Sequence, residues 1–197
     1  MNVYMKEHEV CDNLTDEQLV EKVRGNAEAF VYIINRYTDR LFRYIRRMTN
    51  VEKEEAEDIL QETFIKTYIH INDFDNSLKF SSWIYRIARN QVISDWRKRK
   101  IRPQSDSTEH DDKLLNIGSE LNLEEEVDRD IFEQHIREVL NHLDKKYKDV
   151  LILRFLEEKN YKEISDILKK PEGTVATLLN RAKKQCKRII EKKSIQF

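Results

Sequence analysis

The sequence YKEISDILKKPEGTVATLLNRAKKQCKRII, residues 161–190, predicts two amphipathic helices separated by the short turn KPEG. Apolar side chains recur in it every three or four residues, which is the spacing of one helix face. In the first helix we expect four residues to face inward: Tyr161, Ile164, Ile167 and Leu168. In the second helix the inward face comprises Val175, Leu179, Ala182, Cys186 and Ile189. Two such helices joined by a tight turn have the form of a helix-turn-helix unit.

The other face of the second helix is polar and basic. Such a helix fits the major groove of DNA, although an ordinary amphipathic surface helix is the alternative interpretation. The candidate DNA-contacting residues are Gly173, Thr174, Thr177, Leu178, Arg181, Lys184 and Arg188. Leu178 has two interpretations, contact with a thymine methyl group or packing against a neighbouring helix. Cys186 lies on the apolar face, so we interpret it as a core residue rather than a redox thiol.

Helical periodicity continues through the N-terminal half of the chain. Thr15, with Gln18 three residues later, predicts a capping box that opens a first helix ending near Gly25. Three further helices are predicted over residues 26–48, 53–69 and 82–99. We expect Ser81 or Ser82 to cap the last of them.

The predicted helix over residues 53–69 has two distinct faces. Its core face comprises Ile59, Leu60, Thr63, Phe64, Thr67 and Tyr68. Its outward face is acidic and amide-rich and carries Asp58, Gln61, Glu62 and Lys66. An acidic helix face is usually a solvated surface, and a protein contact is the alternative.

The fourth predicted helix, SSWIYRIARNQVISDWRKRK, combines basic and aromatic side chains next to a polar loop at residues 72–79. At about 100° per residue, Arg86, Asn90 and Arg97 lie on one side, and Trp83 lies beside Asn90. Exposed aromatic rings stack on bases and cations follow phosphates, so this combination suits single-stranded nucleic acid. The alternative is that Trp83 belongs to the core and the arginines form a solvated face.

Charge is distributed unevenly along a chain whose net charge is −1. Residues 83–102 carry seven bases against one acid, residues 103–130 carry two bases against ten acids, and residues 159–193 carry eleven bases against four acids. The basic stretches suit a polyanion. The acidic stretch offers little to bury, so we predict a flexible linker over residues 101–122 that is disordered in the free protein.

Composition bounds the class of protein. The chain has 197 residues, 39% hydrophobic and 37% charged, and only three Gly and two Pro, which favours an all-α fold of two small domains. It has no apolar run near the roughly 20 residues of a membrane helix and no secretion signal, so we expect a soluble cytoplasmic protein without membrane insertion. The two distant cysteines do not indicate a disulfide framework. Because the sequence has no phosphate-binding loop, metal-ligand cluster or nucleophile triad, we expect no enzyme, cofactor or metal.

Three segments together resemble the extracytoplasmic-function (ECF) group of bacterial RNA polymerase sigma factors. They are DILQETFIKTY (58–68), FSSWIYRIARNQVISDWRKRK (80–100) and YKEISDILKKPEGTVATLLNRAKK (161–184), in the order and spacing of that family. The resemblance covers nearly everything from Asn26 to Arg188. It implies a tail and short helix at residues 1–25, a region 2-like domain at 26–100, and a region 4-like domain at 123–197 after the linker.

The resemblance implies a role for each segment. The first would bind the clamp of core RNA polymerase through Asp58, Gln61, Glu62 and Lys66. The second, with the preceding loop, would melt and read the minus-ten promoter region through Asn72, Asp73, Phe74, Asn76, Lys79, Trp83, Arg86, Asn90 and Arg97. The third would read the minus-thirty-five region through the seven candidate residues of the reading helix. The linker would lie in a basic polymerase channel, and a membrane-bound anti-sigma factor is a further partner to consider.

The chain departs from the family pattern at particular positions. Lys169 stands where the family usually has Gly, in a left-handed turn that costs a non-Gly residue on the order of 1 kcal/mol. Ala176, Thr177 and Leu178 stand where the family often has Lys, Ser and Arg, which removes two cations from the reading helix. Asp144 stands where the family often has Pro.

Two other classes of protein remain as alternatives. One is a stand-alone helix-turn-helix regulator whose N-terminal domain dimerises or binds a ligand. The other is an all-helical adaptor that inhibits or scaffolds another protein. The basic stretch at residues 83–102 argues against both, because neither needs a second nucleic-acid face.

Overall fold

A computed structural model describes residues 13–49, 51–101 and 135–193. Within these ranges the regular secondary structure is helical, without β-strands, in agreement with the predicted all-α class. The predicted N-terminal tail, residues 102–122 of the predicted linker and residues 123–134 lie outside the described ranges.

The described helices follow the predicted order. They are α1 (Asp16–Gly25), α2 (Phe30–Met48), α3 (Lys53–Ile69), α4 (Phe80–Ile101), α5 (Lys145–Leu151), α6 (Tyr161–Leu168) and α7 (Glu172–Lys193). Short 3₁₀ turns at Ala27–Ala29 and Ile71–Asp73 precede α2 and follow α3, and a π-helical turn at Ile152–Leu156 extends α5. Residues 135–141 are also helical.

The start of α1 has the predicted capping box. The Thr15 hydroxyl accepts a hydrogen bond from the Gln18 backbone N–H at 3.2 Å, and the Gln18 side chain accepts one from the Thr15 N–H at 2.9 Å. These two bonds satisfy donors that a helix start would otherwise leave free. A local sequence signal is therefore sufficient to place this helix end.

The start of α4 differs from the prediction. The helix begins at Phe80, two residues earlier than predicted, so Ser81 and Ser82 lie within its first turn and do not cap it. The Phe80 backbone N–H donates instead to Oε1 of Glu17 on α1 at 3.0 Å. A carboxylate at the positive end of a helix is favourable, and here it comes from a residue 63 positions away.

The N-terminal core lies between α1, α2, α3 and α4. The sequence predicts one apolar stripe on α2, and all of its residues but one are buried: Phe30, Ile33, Tyr37, Leu41, Tyr44, Ile45 and Met48. The exception, Ile34, is half-buried against the same core. On α3 the predicted core residues are also buried, apart from Tyr68, which is 46% exposed. The expectation for Tyr68 is wrong because its ring packs edge-on against Phe30 at the rim of the core, which leaves its other side in solvent.

The C-terminal core lies between α5, its π-helical extension, α6 and α7. Val175, Leu179 and Ala182 are buried, and Cys186 and Ile189 are half-buried, so the inward stripe of α7 is confirmed. Three of the four predicted inward residues of α6 are buried: Ile164, Ile167 and Leu168. The expectation for Tyr161 is wrong, since its side chain is 40% exposed and lies over the guanidinium of Arg154.

The two halves of the chain contact each other. Helix α4 packs against α6, and the π-helical turn at Ile152–Leu156 contacts α2. Trp96 near the end of α4 is exposed on one side and lies 4.8 Å from the ammonium of Lys145. The C-terminal helices therefore rest on the side of the N-terminal domain formed by α2 and α4.

The turn of the helix-turn-helix unit keeps a left-handed residue at its start. Lys169, at the end of α6, has φ 53° and ψ 49°, and its backbone N–H donates to the Ser165 carbonyl. The Ser165 hydroxyl donates to the Lys170 carbonyl at 2.6 Å and closes the same turn. The turn therefore has the conformation that glycine would adopt most easily, although lysine occupies it.

Replacing Lys169 by glycine should stabilise the protein. Lys169→Gly removes the Cβ strain, and the larger unfolded-state entropy of glycine offsets part of that gain, so we expect up to about 1 kcal/mol. This corresponds to a rise in Tm of about 2–4 °C, measurable by calorimetry. Lys170→Gly is the matched control, because the φ of Lys170 is not positive. This change should lower Tm or leave it unchanged. An unchanged or lower Tm for Lys169→Gly would contradict the expectation that the left-handed backbone at Lys169 is strained.

Candidate polymerase and nucleic-acid interfaces

The outward face of α3 is the first candidate interface. Asp58 and Gln61 are exposed and Glu62 is half-exposed, as the sequence predicts. Lys66 is about as exposed as Glu62, and its ammonium lies 3.8 Å from the Glu62 carboxylate and donates to Oε1 of the buried Gln91 on α4 at 2.6 Å. The face is therefore acidic apart from Lys66, which also joins α3 to α4.

Two apolar residues extend this face beyond what the sequence reasoning identified. Ile65 and Ile69 are exposed, Ile69 by 63%, and lie three and seven residues after Glu62. Two large apolar side chains in solvent next to carboxylates are typical of a protein contact. The signal was available in the sequence, since residues 58, 62, 65 and 69 fall on one side of a helix.

The loop at residues 72–79 is the second candidate interface, and α1 holds it. The Arg24 guanidinium donates to the carbonyl of Phe74 at 2.6 Å and to that of Ile71 at 3.2 Å. The side-chain amide of Asn76 donates to the Glu21 carboxylate. Four of the predicted minus-ten residues are exposed on this loop: Asn72, Asp73, Asn76 and Lys79.

The aromatic residues beside the loop are buried, contrary to the expectation that they are exposed for stacking. Trp83 is only 8% exposed, and Phe74 and Phe80 are more deeply buried. The three rings lie 5.4–5.6 Å apart and pack at tilted or perpendicular angles. Trp83 therefore follows the alternative interpretation as a core residue, and this cluster forms the floor beneath the loop. Periodicity alone does not show whether an aromatic cluster is buried beneath a loop or exposed to solvent for stacking.

The remaining predicted minus-ten residues lie on α4. Asn90 and Arg97 are exposed, and Arg86 is half-exposed. Trp96 was not among the predicted site residues, yet the ammonium groups of Lys100 and Lys145 lie over its ring, 5.3 and 4.8 Å from the centroid. The C-terminal part of α4 therefore offers an exposed aromatic ring among cations, the combination that was predicted at Trp83.

The polar face of α7 is the third candidate interface. Most of its predicted DNA-contacting residues are exposed: Gly173, Thr174, Thr177, Arg181, Lys184 and Arg188. The Thr177 hydroxyl donates to the Gly173 carbonyl at 2.9 Å, and its oxygen can still accept a hydrogen bond from outside. Leu178 is half-buried against the C-terminal core, which favours packing over base contact.

Ion pairs join the two halves of the chain. Arg89 on α4 donates to Asp149 on α5 through Nε at 2.9 Å and Nη2 at 2.6 Å. Glu157 accepts from Arg47 at 2.9 Å and from the Tyr85 hydroxyl at 2.6 Å. Burial raises the pKa of Asp149 despite the neighbouring guanidinium. These pairs were missed, because partners 60 or more residues apart leave no periodic signal.

A fourth contact joins the loop to α6. The Lys79 ammonium lies 3.0 Å from the Glu163 carboxylate. Burial raises the pKa of Glu163, but the Asn160 backbone N–H and Lys79 outweigh it, so the pKa lies below its usual range. A predicted minus-ten residue thus has a partner in the helix-turn-helix unit.

Other features of the described residues concern the class of protein. None of the helices there is long and apolar enough to cross a membrane. Those ranges also hold no group of three or more His, Cys, Asp or Glu that could bind a metal. Partial burial raises the pKa of the Cys186 thiol, in agreement with a core position.

The chain matches known families in both halves. Residues 33–101 match the Sigma-70 region 2 family, and residues 133–186 match the Sigma-70, region 4 family. The first range contains α3, the loop and α4, and the second contains α5, α6 and most of α7. The three candidate interfaces therefore fall within the matched ranges, apart from Arg188 at the end of the α7 face.

Similar proteins and structures agree with these families. The chain is 33% identical over 165 residues to the ECF RNA polymerase sigma factor SigW of Bacillus subtilis, covering 81% of this chain and 88% of that protein. It is 29% identical over 193 residues to the ECF RNA polymerase sigma-E factor of Haemophilus influenzae, covering 92% and 98%.

Two solved structures have a similar fold. CnrH, in complex with the cytosolic domain of CnrY, has a TM-score of 0.67 at 19% identity, covering 89% of this chain and 97% of that one. The sigma factor RpoE of Bartonella quintana, bound to the anti-sigma factor NepR, has a TM-score of 0.60 at 19% identity, covering 82% and 96%. The relatives and the two matched regions identify the family, and this chain belongs to the extracytoplasmic-function group of RNA polymerase sigma factors.

Proposed function

We propose that this sigma factor uses three separate surfaces, each for a different binding role. The outward face of α3 binds core polymerase, the loop at residues 72–79 with α4 opens and reads the minus-ten region, and α7 reads the minus-thirty-five region. The observation that carries the proposal is that three exposed polar faces fall in the two matched regions of one chain. We take the two domains as residues 26–100 and 123–197, and we add α1 to the first, because its Leu19, Val20 and Val23 are buried in the N-terminal core.

The α3 face is suited to a basic helical part of the polymerase clamp. Its carboxylates, Asp58 and Glu62, provide electrostatic complementarity, and Gln61 adds hydrogen bonding. Ile65 and Ile69 supply apolar area next to these groups, which interfaces need at their centre. Lys66 contributes by holding α3 against α4 through Gln91.

Reversing the charge of this face should weaken polymerase binding without unfolding the protein. We expect the double variant Asp58→Lys/Glu62→Lys to bind core polymerase at least about tenfold more weakly, because it places like charges in contact. Equilibrium binding of fluorescently labelled sigma factor to core polymerase measures the change. The control is Asp144→Lys/Glu191→Lys, which has the same charge change at exposed C-terminal positions. Wild-type affinity of the α3 variant would show that polymerase binds elsewhere.

The minus-ten surface combines a shaped loop with cations. Extruding a base costs a few kcal/mol, which a preformed pocket and nearby positive charge offset. We assign the extruded base to the loop residues Asn72, Asp73, Asn76 and Lys79, and the opened strand to Arg86, Asn90 and Arg97. Phe74 and Trp83 contribute as the buried floor that supports the loop, rather than as stacking platforms.

The reading helix α7 combines the hydroxyls of Thr174 and Thr177 with several cations. The Thr174 backbone N–H already donates to the Pro171 carbonyl at 2.9 Å. We therefore assign phosphate contacts to the Gly173 backbone N–H, the Thr174 hydroxyl, Lys184 and Arg188. Thr177 and Arg181 are the candidate base contacts. Leu178 contributes through packing, because it is half-buried.

Lys184→Ala should weaken binding to all DNA sequences alike. Loss of one phosphate contact reduces the slope of log affinity against log salt by about one. Titration of minus-thirty-five DNA and of a scrambled duplex at several salt concentrations measures this slope. Lys183→Ala is the control, because the Lys183 ammonium lies over the Phe155 ring rather than on the proposed DNA face. A selective loss on one sequence, with the slope unchanged, would contradict a phosphate contact.

The factor acts by binding, and polymerase carries out RNA synthesis. We place it in the cytoplasm with polymerase. We also propose an anti-sigma partner, because one of the structures with a similar fold is bound to the anti-sigma factor NepR.

A further inference from the structure

Side chains of helix α1 form hydrogen bonds with both ends of the segment that connects α3 to α4. At one end, Arg24 donates to the carbonyls of Ile71 and Phe74, which bracket the 3₁₀ turn before the loop. At the other end, Glu17 accepts the hydrogen bond of the Phe80 N–H that starts α4. In the middle, Asn76 donates to Glu21 and lies 3.4 Å from the Arg24 guanidinium. The loop is therefore bound at its start, middle and end by a single helix.

The guanidinium of Arg24 suits this task better than an ammonium would. It is planar and donates through a rigid fork, so one side chain can hold two carbonyls in a set geometry. Its Nη2 binds both carbonyls, and its Nη1 lies 2.5 Å from Glu21. Lysine keeps the charge but has a compact, rotatable head that lacks this fork.

The position of α1 does not depend on Arg24. Asp16 at the start of α1 accepts hydrogen bonds from Arg36 at 2.7 Å and from the Tyr37 hydroxyl at 2.5 Å, both on α2. Leu19, Val20 and Val23 of α1 are buried in the N-terminal core. Loss of the Arg24 contacts should therefore relax the loop and leave the helix in place.

We propose that Arg24 and Glu17 are positioning residues that set minus-ten base preference without contacting DNA. By holding both ends of the loop, they fix where Asn72, Asp73 and Lys79 present their side chains. The proposal rests on the proposed function of this loop in minus-ten reading. It assigns part of promoter specificity to a helix outside residues 33–101, the range that matches region 2.

The test is a selection from promoters with a randomised minus-ten region, using full-length factor and core polymerase. Arg24→Lys and Arg24→Ala should both reduce the preference for the best sequence by about fivefold or more, with core binding unchanged. The control Arg46→Lys changes an arginine near the C-terminal end of α2 whose guanidinium donates to the Val51 carbonyl at 3.1 Å, and it should keep the wild-type preference. The loop variant Asn72→Ala reports on the proposed function itself.

The outcomes separate the inference from the proposed function. If Asn72→Ala alters base preference and Arg24→Lys does not, the loop reads the promoter and the positioning role is wrong. If neither variant alters it, the loop does not read the minus-ten region and both proposals fail. Circular dichroism and Tm of each variant verify that the helices remain folded.

Discussion

The buried ion pair between Arg89 and Asp149 determines how the two halves of this sigma factor meet. Asp149 is only 2% exposed on its side chain, and burial raises its pKa even with a guanidinium 2.6 Å away. The desolvation of the carboxylate therefore outweighs the attraction, as is usual for buried pairs. Breaking such a pair still costs about 3–5 kcal/mol, because the remaining charge is uncompensated. The pair thus selects one docking of the halves more than it stabilises the fold.

Much of the fold follows from local sequence signals. Both bounds of α3 and the Thr15 capping box were predictable, because helix periodicity and capping depend on neighbours within four residues. The start of α4 was not, since its acceptor, Glu17, is distant in sequence. Tyr161 and Tyr68 were predicted inward because an amphipathic ring at the rim of a core has the same spacing as one at its centre.

The candidate interfaces were predictable where side chains simply face solvent. Asp58, Arg97 and Lys184 are exposed as expected, because each lies opposite an apolar stripe. Trp83 was predicted to be exposed and is buried. A tryptophan next to basic residues is compatible with both a stacking role and a core position until its neighbours are known. The contacts of Arg24 and Glu157 depend on tertiary proximity alone.

The departures of α7 from its family affect how promoter discrimination is distributed. With Ala176 and Leu178 in place of two cations, and Leu178 half-buried, the face that meets DNA offers fewer donors to base edges. Its remaining cations can follow phosphates, which adds affinity but no sequence information. On the proposed function, discrimination then depends more on the loop at residues 72–79, because reading an extruded base requires a rigid pocket. That requirement gives a physical reason for a loop held at both ends by α1, because a mobile loop would accept several bases with similar affinity.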